Sequence, residues 1–180
     1  MNTKNYKFVG IVIAIVLLYG AYISFKDTPT IKVSNKTFDP RNTTYTINNQ
    51  SFTLKNGISE IAAPNSSSKI ITRYFGNEAT GDLTGDNIPD LAYLITQETG
   101  GSGIFYYAVV AINNGGTYTL TNPFFIGDRI APQPTEIKNM ELYVIYAERK
   151  QGEPMTARPS VGAMTLLKVT KDGVLEGLMK

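Results

Sequence analysis

The chain contains no cysteine, no histidine and no tryptophan. Without cysteine no disulfide can form, so the fold is held by packing or by a bound ion. Without histidine there is no Ser-His-Asp or Cys-His triad and no Cys/His zinc site. The commonest general base is missing too, although mechanisms built on carboxylates stay open. A lipid anchor on cysteine is excluded. Any metal must be a hard ion held by oxygens. Charge of one sign is also scarce. The net charge is +2 over 180 residues, and the excess lies at the N-terminus, where Lys4, Lys7 and Lys26 flank an apolar run. From Asp27 onward acidic residues outnumber basic ones by one. No basic cluster of nucleic-acid type follows, which excludes nucleic acid as the expected partner.

What is present begins with Phe8 to Phe25, eighteen residues without a charge. As a helix rising about 1.5 Å per residue this run spans roughly 27 Å, close to a hydrocarbon core of about 30 Å. Tyr19 and Tyr22 lie toward one end, where amphipathic rings favour the membrane interface. Lys4, Lys7 and the free amine sit before the run, and the positive-inside rule puts them in the cytoplasm. The expected organisation is a cytoplasmic N-terminus over 1–7, a transmembrane signal-anchor helix over 8–25, a tether over 26–42 and an extracytoplasmic β domain over 43–180. A cleaved signal peptide is the competing reading. The run is longer than a signal peptide's apolar region, and Tyr19-Gly20-Ala21 puts a bulky residue where a cleavage site wants a small one.

After the tether come short runs at strand spacing, separated by turn chemistry. Thr43–Ile47 and Ser51–Leu54 alternate polar and apolar around Asn48-Asn49, and Asn56-Gly57 is a second tight-turn signal. Ala62–Ser68 reads as a polar loop. Leu91–Ile95, Ile104–Ile112 and Leu142–Ala147 are apolar on both faces, which predicts inner strands covered on two sides. Gly100–Gly103, Asn113–Gly116, Asn139 and Lys171–Gly173 read as turns, and Val161–Val169 and Val174-Leu175 as the closing strands. The expected fold is mainly β: a single antiparallel domain, sandwich or curled sheet, after one N-terminal transmembrane helix. Sequons at Asn35, Asn42, Asn49 and Asn65 matter only in a host that glycosylates exported chains.

The most specific string runs from Gly81 to Asp90. Oxygen side chains fall at alternate positions, Asp82, Thr84 and Asp86, then at Asp90, with the backbone carbonyl of Ile88 between. Calcium takes six to eight oxygens from tightly curled loops of this spacing, and Gly85 and Asn87 tolerate the positive φ such a curl requires. Tyr93 stands where an EF-hand needs its bidentate Glu. The string resembles the aspartate loop of FG-GAP and VCBS-type β repeats. Thr84 replaces that loop's usual Asn/Asp, and Asn87 its usual Gly. Residues 80–170 also resemble uncharacterised exported bacterial proteins in GDLTGDNIPDLAYLIT, GGSGIFYYAVVA, IGDRIAP and ERKQGEPMTARPSVG. The resemblance implies an exported or membrane-anchored domain and a structural calcium ion held by Asp82, Thr84, Asp86, Ile88 and Asp90. The bland alternative is an Asp/Asn/Gly turn whose carboxylates cap backbone amides.

Two further groups stand out. Asp128, Arg129, Glu148, Arg149, Lys150, Glu153 and Arg158 flank or follow apolar strands. They read either as acid/base or anion-binding groups gathered at one end of a sheet, or as rim salt bridges. Phe105, Tyr106, Tyr107, Tyr118, Phe124, Phe125, Tyr143 and Tyr146 read mainly as core, since successive strand residues face opposite ways. The expected function is a non-enzymatic, membrane-tethered binding or structural module of the cell envelope. Its expected partners are the bilayer, through residues 8–25, and an envelope protein or glycan. The rival is an envelope hydrolase or carbohydrate-active domain using Asp128, Glu148 or Glu153. A third class is an accessory subunit of a membrane complex, which would show a large exposed apolar patch.

Overall fold

The computed structural model describes residues 38–178, apart from Asn65. Phe8–Phe25, and with it the membrane reading, lies outside the described residues. Among those residues no helix is long and apolar enough to cross a membrane.

The described body is mainly β, and its strand pairings are antiparallel. The strands are β1 (Thr44–Ile47), β2 (Gln50–Thr53), β3 (Ile58–Ala62), β4 (Lys69–Gly81), β5 (Asp90–Glu98), β6 (Phe105–Asn113), β7 (Tyr118–Leu120), β8 (Phe124–Asp128), β9 (Ala131–Lys138), β10 (Glu141–Glu148), β11 (Val161–Val169) and β12 (Leu175–Gly177). One sheet runs β3-β4-β5-β6-β7, with β8 pairing β6 beside β7. A second runs β12-β11-β10-β9, and β1 and β2 form a separate hairpin.

The two central strands explain the layering. On β5, Ala92 and Leu94 point to one face and Tyr93 and Ile95 to the other; on β6, Ala108 and Val110 oppose Val109 and Ala111. The first set packs with Leu142, Val144, Tyr146 and Leu167 of the four-stranded sheet. The second packs with Tyr45, Ile47, Phe52 and Leu54 around the β1–β2 hairpin. Both strands are therefore covered on two sides, as their unbroken apolar runs require. Each Leu, Ile or Val side chain fully removed from water there contributes about 1.5–3 kcal/mol.

Leu142–Ala147 behaves differently. On β10 only Leu142, Val144 and Tyr146 are buried, while Tyr143 and Ile145 are half-buried on the outer face. Among the described residues this strand is covered on one side, and its apolar run reads correctly for β propensity but not for depth. The last residues of the stretch read as a tether pack against the domain. Pro40 is buried in a short 3-10 turn over Pro40–Asn42, and Phe38 stacks on Tyr118 with ring centroids 4.9 Å apart.

Strand β4 ties the two sheets together. Gly76 (φ 93°) and Asn77 (φ 55°) take left-handed conformations, and the register with β5 shifts on either side of Gly76. The strand bends there toward β9, where Asn77 Nδ2 donates to the Gln133 carbonyl at 2.7 Å and to Thr135 Oγ1 at 2.9 Å. Farther along, a Cβ added at Gly81 would lie 2.8 Å from Ile137 Cγ2, so a side chain there would displace Ile137. At another border, Asn122 serves as a peptide mimic for β12. Its Oδ1 accepts from Leu175 N at 2.8 Å and its Nδ2 donates to the Leu175 carbonyl at 3.3 Å.

Candidate functional site

The antiparallel order gathers the connections at two ends. One end carries the Asp82–Pro89 connection, the β6–β7 turn and the β11–β12 turn. The other carries the β5–β6 loop, the β8–β9 turn and the long β10–β11 loop.

At the first end the structure curls Asp82 to Asp90 as the alternating oxygens predict, with Gly85 at φ 84° and Asn87 at φ 65°. The carboxylates face backbone amides. Asp82 Oδ1 accepts from Thr84 N at 3.1 Å and Gly85 N at 2.7 Å, and its Oδ2 accepts from Asn87 N at 2.9 Å. These amides, Gly85 foremost, hold the Asp82 carboxyl below the usual carboxylate range by favouring its charged form. Asp86 Oδ1 accepts from Ile88 N at 2.8 Å, a local turn of the kind short acidic side chains make. Asp90 is fully buried. Its Oδ2 accepts from Leu83 N and its Oδ1 from Asn113 N, both at 2.9 Å. This one side chain thereby fastens the connection to the end of β6 and holds Leu83 in the core. Thr84 and Ile88 enter the pattern as amide donors. Among the described residues no group of three acidic side chains is drawn together as ion ligands. A carboxylate offers about four lone-pair sites, so these bonds leave acceptor capacity on the loop, the largest share of it on Asp86.

At the opposite end the charged residues do gather, and they hold loops. Asp128 Oδ1 accepts from Ile104 N at 2.9 Å, and its Oδ2 pairs with Arg129 Nη2 at 2.7 Å. The Arg129 guanidinium, with help from that amide, holds the Asp128 carboxyl below its usual range. Arg129 itself sits at φ 50°. Its N–H donates to the Ile104 carbonyl at 2.7 Å, and its own carbonyl accepts from Arg149 Nη1 at 2.9 Å. Arg149 Nε reaches the Ala157 carbonyl at 2.8 Å, pinning the β10–β11 loop. Glu153 Oε2 accepts from Lys150 N at 3.0 Å within that loop. Glu148 ends β10, where its carbonyl accepts from Ser160 N at 2.9 Å.

A groove of different character runs beside β1. Its volume is about 560 Å³. The β1 strand and the Asn48-Asn49 turn form one wall, Leu120–Pro123 forms the other, and Tyr107 and Phe125 contribute aromatic surface. Among the described residues, no charged side chain lines it. Phe125 is 51% exposed and meets Tyr107 edge-on with centroids 5.6 Å apart. The aromatic group as a whole divides. Tyr146 is in the core, Tyr106 and Phe124 pack against one cluster and Tyr107 against the other, and Phe125 and Tyr118 are exposed. Sequence reasoning singles out Tyr107 and Phe125 but not the groove. Its walls come from segments more than seventy residues apart, and no local pattern joins them.

Under the hairpin, buried phenols replace a purely apolar contact. The Tyr45 hydroxyl donates its one proton to the Pro40 carbonyl at 2.6 Å. The 3.1 Å contact between the Tyr45 and Tyr93 hydroxyls then has Tyr93 as donor. Burial pushes the Tyr45 phenol up to about 12, and burial first, with Tyr45 beside it, pushes Tyr93 up as well.

Comparison of the chain with protein-family models, with curated proteins and with solved structures finds no match.

Proposed function

We propose that this protein is a non-catalytic binding module of the cell envelope, carried on the membrane by residues 8–25 and displaying its β domain outside the cytoplasm. The observation that supports it is a contrast in lining. Of the carboxylates read as suited to acid/base work, Asp128 and Glu153 are committed to backbone amides and Glu148 stands exposed at the end of β10, whereas the groove beside β1 offers aromatic, hydroxyl, amide and backbone groups. Recognition needs convergent polar groups beside apolar surface. Hydrolysis by paired carboxylates needs two of them facing one opening, about 5–9.5 Å apart. The resemblance to FG-GAP and VCBS loops adds a structural calcium ion at Asp82, Thr84, Asp86, the Ile88 carbonyl and Asp90. Bound there, calcium offsets the mutual repulsion of three carboxylates crowded into nine residues and fixes the turn before β5.

The test is a thermal-shift screen of the full chain in detergent against peptides, oligosaccharides, calcium and magnesium, run beside turnover assays on chromogenic glycosides. Ligand-dependent shifts with no turnover support the module. Turnover that disappears in Glu148→Gln or Glu153→Gln defeats it and restores the hydrolase.

A further inference from the structure

Among the described residues, the β1 strand has one edge paired and one edge open. Leu54 N donates to the Thr43 carbonyl at 2.9 Å, and Thr44, Tyr45, Thr46 and Ile47 face Thr53, Phe52, Ser51 and Gln50 in turn. Bonded and non-bonded pairs alternate along an antiparallel ladder. Thr43, Tyr45 and Ile47 therefore turn their backbone groups toward β2, and Thr44 and Thr46 turn theirs the other way. The groove lies on that side, since Thr44 to Asn49 line it with Leu120–Pro123 opposite and no residue of β2 does. Among the described residues, no group bonds the N–H or C=O of Thr44 or Thr46.

The other edges of the domain carry the devices that prevent strand addition. On β9 they are Pro132 and Pro134, followed by Glu136 and Lys138; on β3, Glu60 pairs with Lys69; β8 is broken by a register shift against β6 at Tyr106/Tyr107 and ends on Asp128; β7 and β12 are three residues long. β2 runs beside β3. β1 carries no proline and no charge.

From this edge we infer that β1 accepts an extended, uncharged peptide segment of a partner protein by strand addition, an inference that rests on the binding-module reading above. At about 3.3 Å per residue the edge is roughly 13 Å long, enough for four or five residues of an added strand. The partner's backbone bonds Thr44 and Thr46, and side chains on one of its faces, every second residue, rest on Tyr107, Leu120 and Phe125. The lack of charge in the lining selects apolar or hydroxyl side chains there, because a charged one loses its water without a counter-charge. A glycan would use the same aromatic rings but has no need of outward N–H and C=O groups at strand spacing.

The experiment is panning of a phage-displayed random heptapeptide library against the full chain in detergent micelles, with chitohexaose and cellohexaose tested in parallel. Enriched peptides are expected to carry apolar residues at alternate positions and no charge there. Thr46→Pro removes an outward N–H and leaves the bonds to β2 in place, so it should weaken the synthetic peptides at least tenfold, as should N-methylation of alternate peptide amides. Phe125→Ala, an exposed position that any folded variant tolerates, should weaken them about threefold or more. Peptides that bind Thr46→Pro and wild type equally overturn the inference. Oligosaccharide binding without peptide enrichment overturns it while leaving the module reading intact. A concentration-dependent dimer that Thr46→Pro dissociates assigns the edge to a second copy and overturns it as well. Failure of peptides and sugars alike removes both readings.

Discussion

The charged ends of the sheets and the uncharged groove beside β1 use polar groups in opposite ways. At the ends, Asp82, Asp90, Asp128 and Arg149 are turned onto the protein's own backbone, each holding a connection in place. In the groove, the backbone groups of Thr44 and Thr46 have no partner among the described residues. A cluster of charges in a sequence attracts attention as chemistry, yet here those charges do the work that disulfides or longer strands would otherwise do. The surface left with unsatisfied, ordered polarity lies where the sequence shows only Thr, Asn and Tyr.

The largest effect that sharpens this contrast belongs to Asp90. Asp90→Ala leaves the buried amide of Leu83 and the part-buried amide of Asn113 without an acceptor, and at about 1–3 kcal/mol for each unsatisfied group the variant should lose roughly 2–6 kcal/mol in urea denaturation. A loss under about 1 kcal/mol would show that the carboxylate does not hold the connection. Next come the two apolar runs. Leu94→Ala, at a doubly covered strand, should cost about 2–5 kcal/mol. Ile145→Ala, on the half-open face of β10, should cost less than about 1.5 kcal/mol, because little apolar area is withdrawn. Equal costs would mean that the outer face of β10 is covered in solution.

Calcium gives a smaller shift. With a dissociation constant of about 0.1 mM, as in extracellular modules, and about 2 mM free ion, linkage gives roughly 1.8 kcal/mol, or about 4–7 °C in melting temperature. Magnesium should give much less. Asp82→Ala should abolish the calcium increment and also lower the melting temperature in EDTA, because three amides lose their acceptor. An equal response to both ions, or none, leaves the aspartates as turn formers only.

The pH profile should have two limbs. Asp82 and Asp128 titrate below their unfolded value of about 3.9, so their stabilisation is complete above that pH and disappears as pH falls through the lower folded values. Asp128→Asn should flatten the acid limb. The Tyr45 phenol is raised, so its contribution is complete below about pH 10 and is lost as pH rises toward 12. In Tyr45→Phe the alkaline loss should begin at higher pH, followed by circular dichroism from pH 9 to 12.

Much of the fold was legible because local chemistry was unambiguous. Asn48-Asn49 and Asn56-Gly57 turn where positive φ is needed, and the runs of β5 and β6 announce burial on two faces. β4 was not legible. Arg73, Gly76, Asn77 and Glu78 interrupt its alternation, and the bends they create are what bring it to β9. β8 escaped because Phe124-Phe125-Ile126 is too short to show a period. The aspartate string was legible as a curl, but the partners of its carboxylates are fixed by the curl itself and by Asn113, which arrives from another strand. The β1 groove could not be read at all, since an open edge is a property of topology and not of any four residues.

Native-state hydrogen exchange tests the contrast most directly, because it reads both regions in one experiment. The loop amides of Leu83, Asn87, Ile104 and Asn113 should exchange slowly although they lie in or beside connections, since carboxylates accept from them. The amides of Thr44 and Thr46 should exchange fast although they lie in a strand, while Tyr45 and Ile47 on the same strand stay protected. Protection of Thr44 and Thr46 equal to that of Tyr45 and Ile47, or fast exchange at Leu83 and Asn113, would contradict the account.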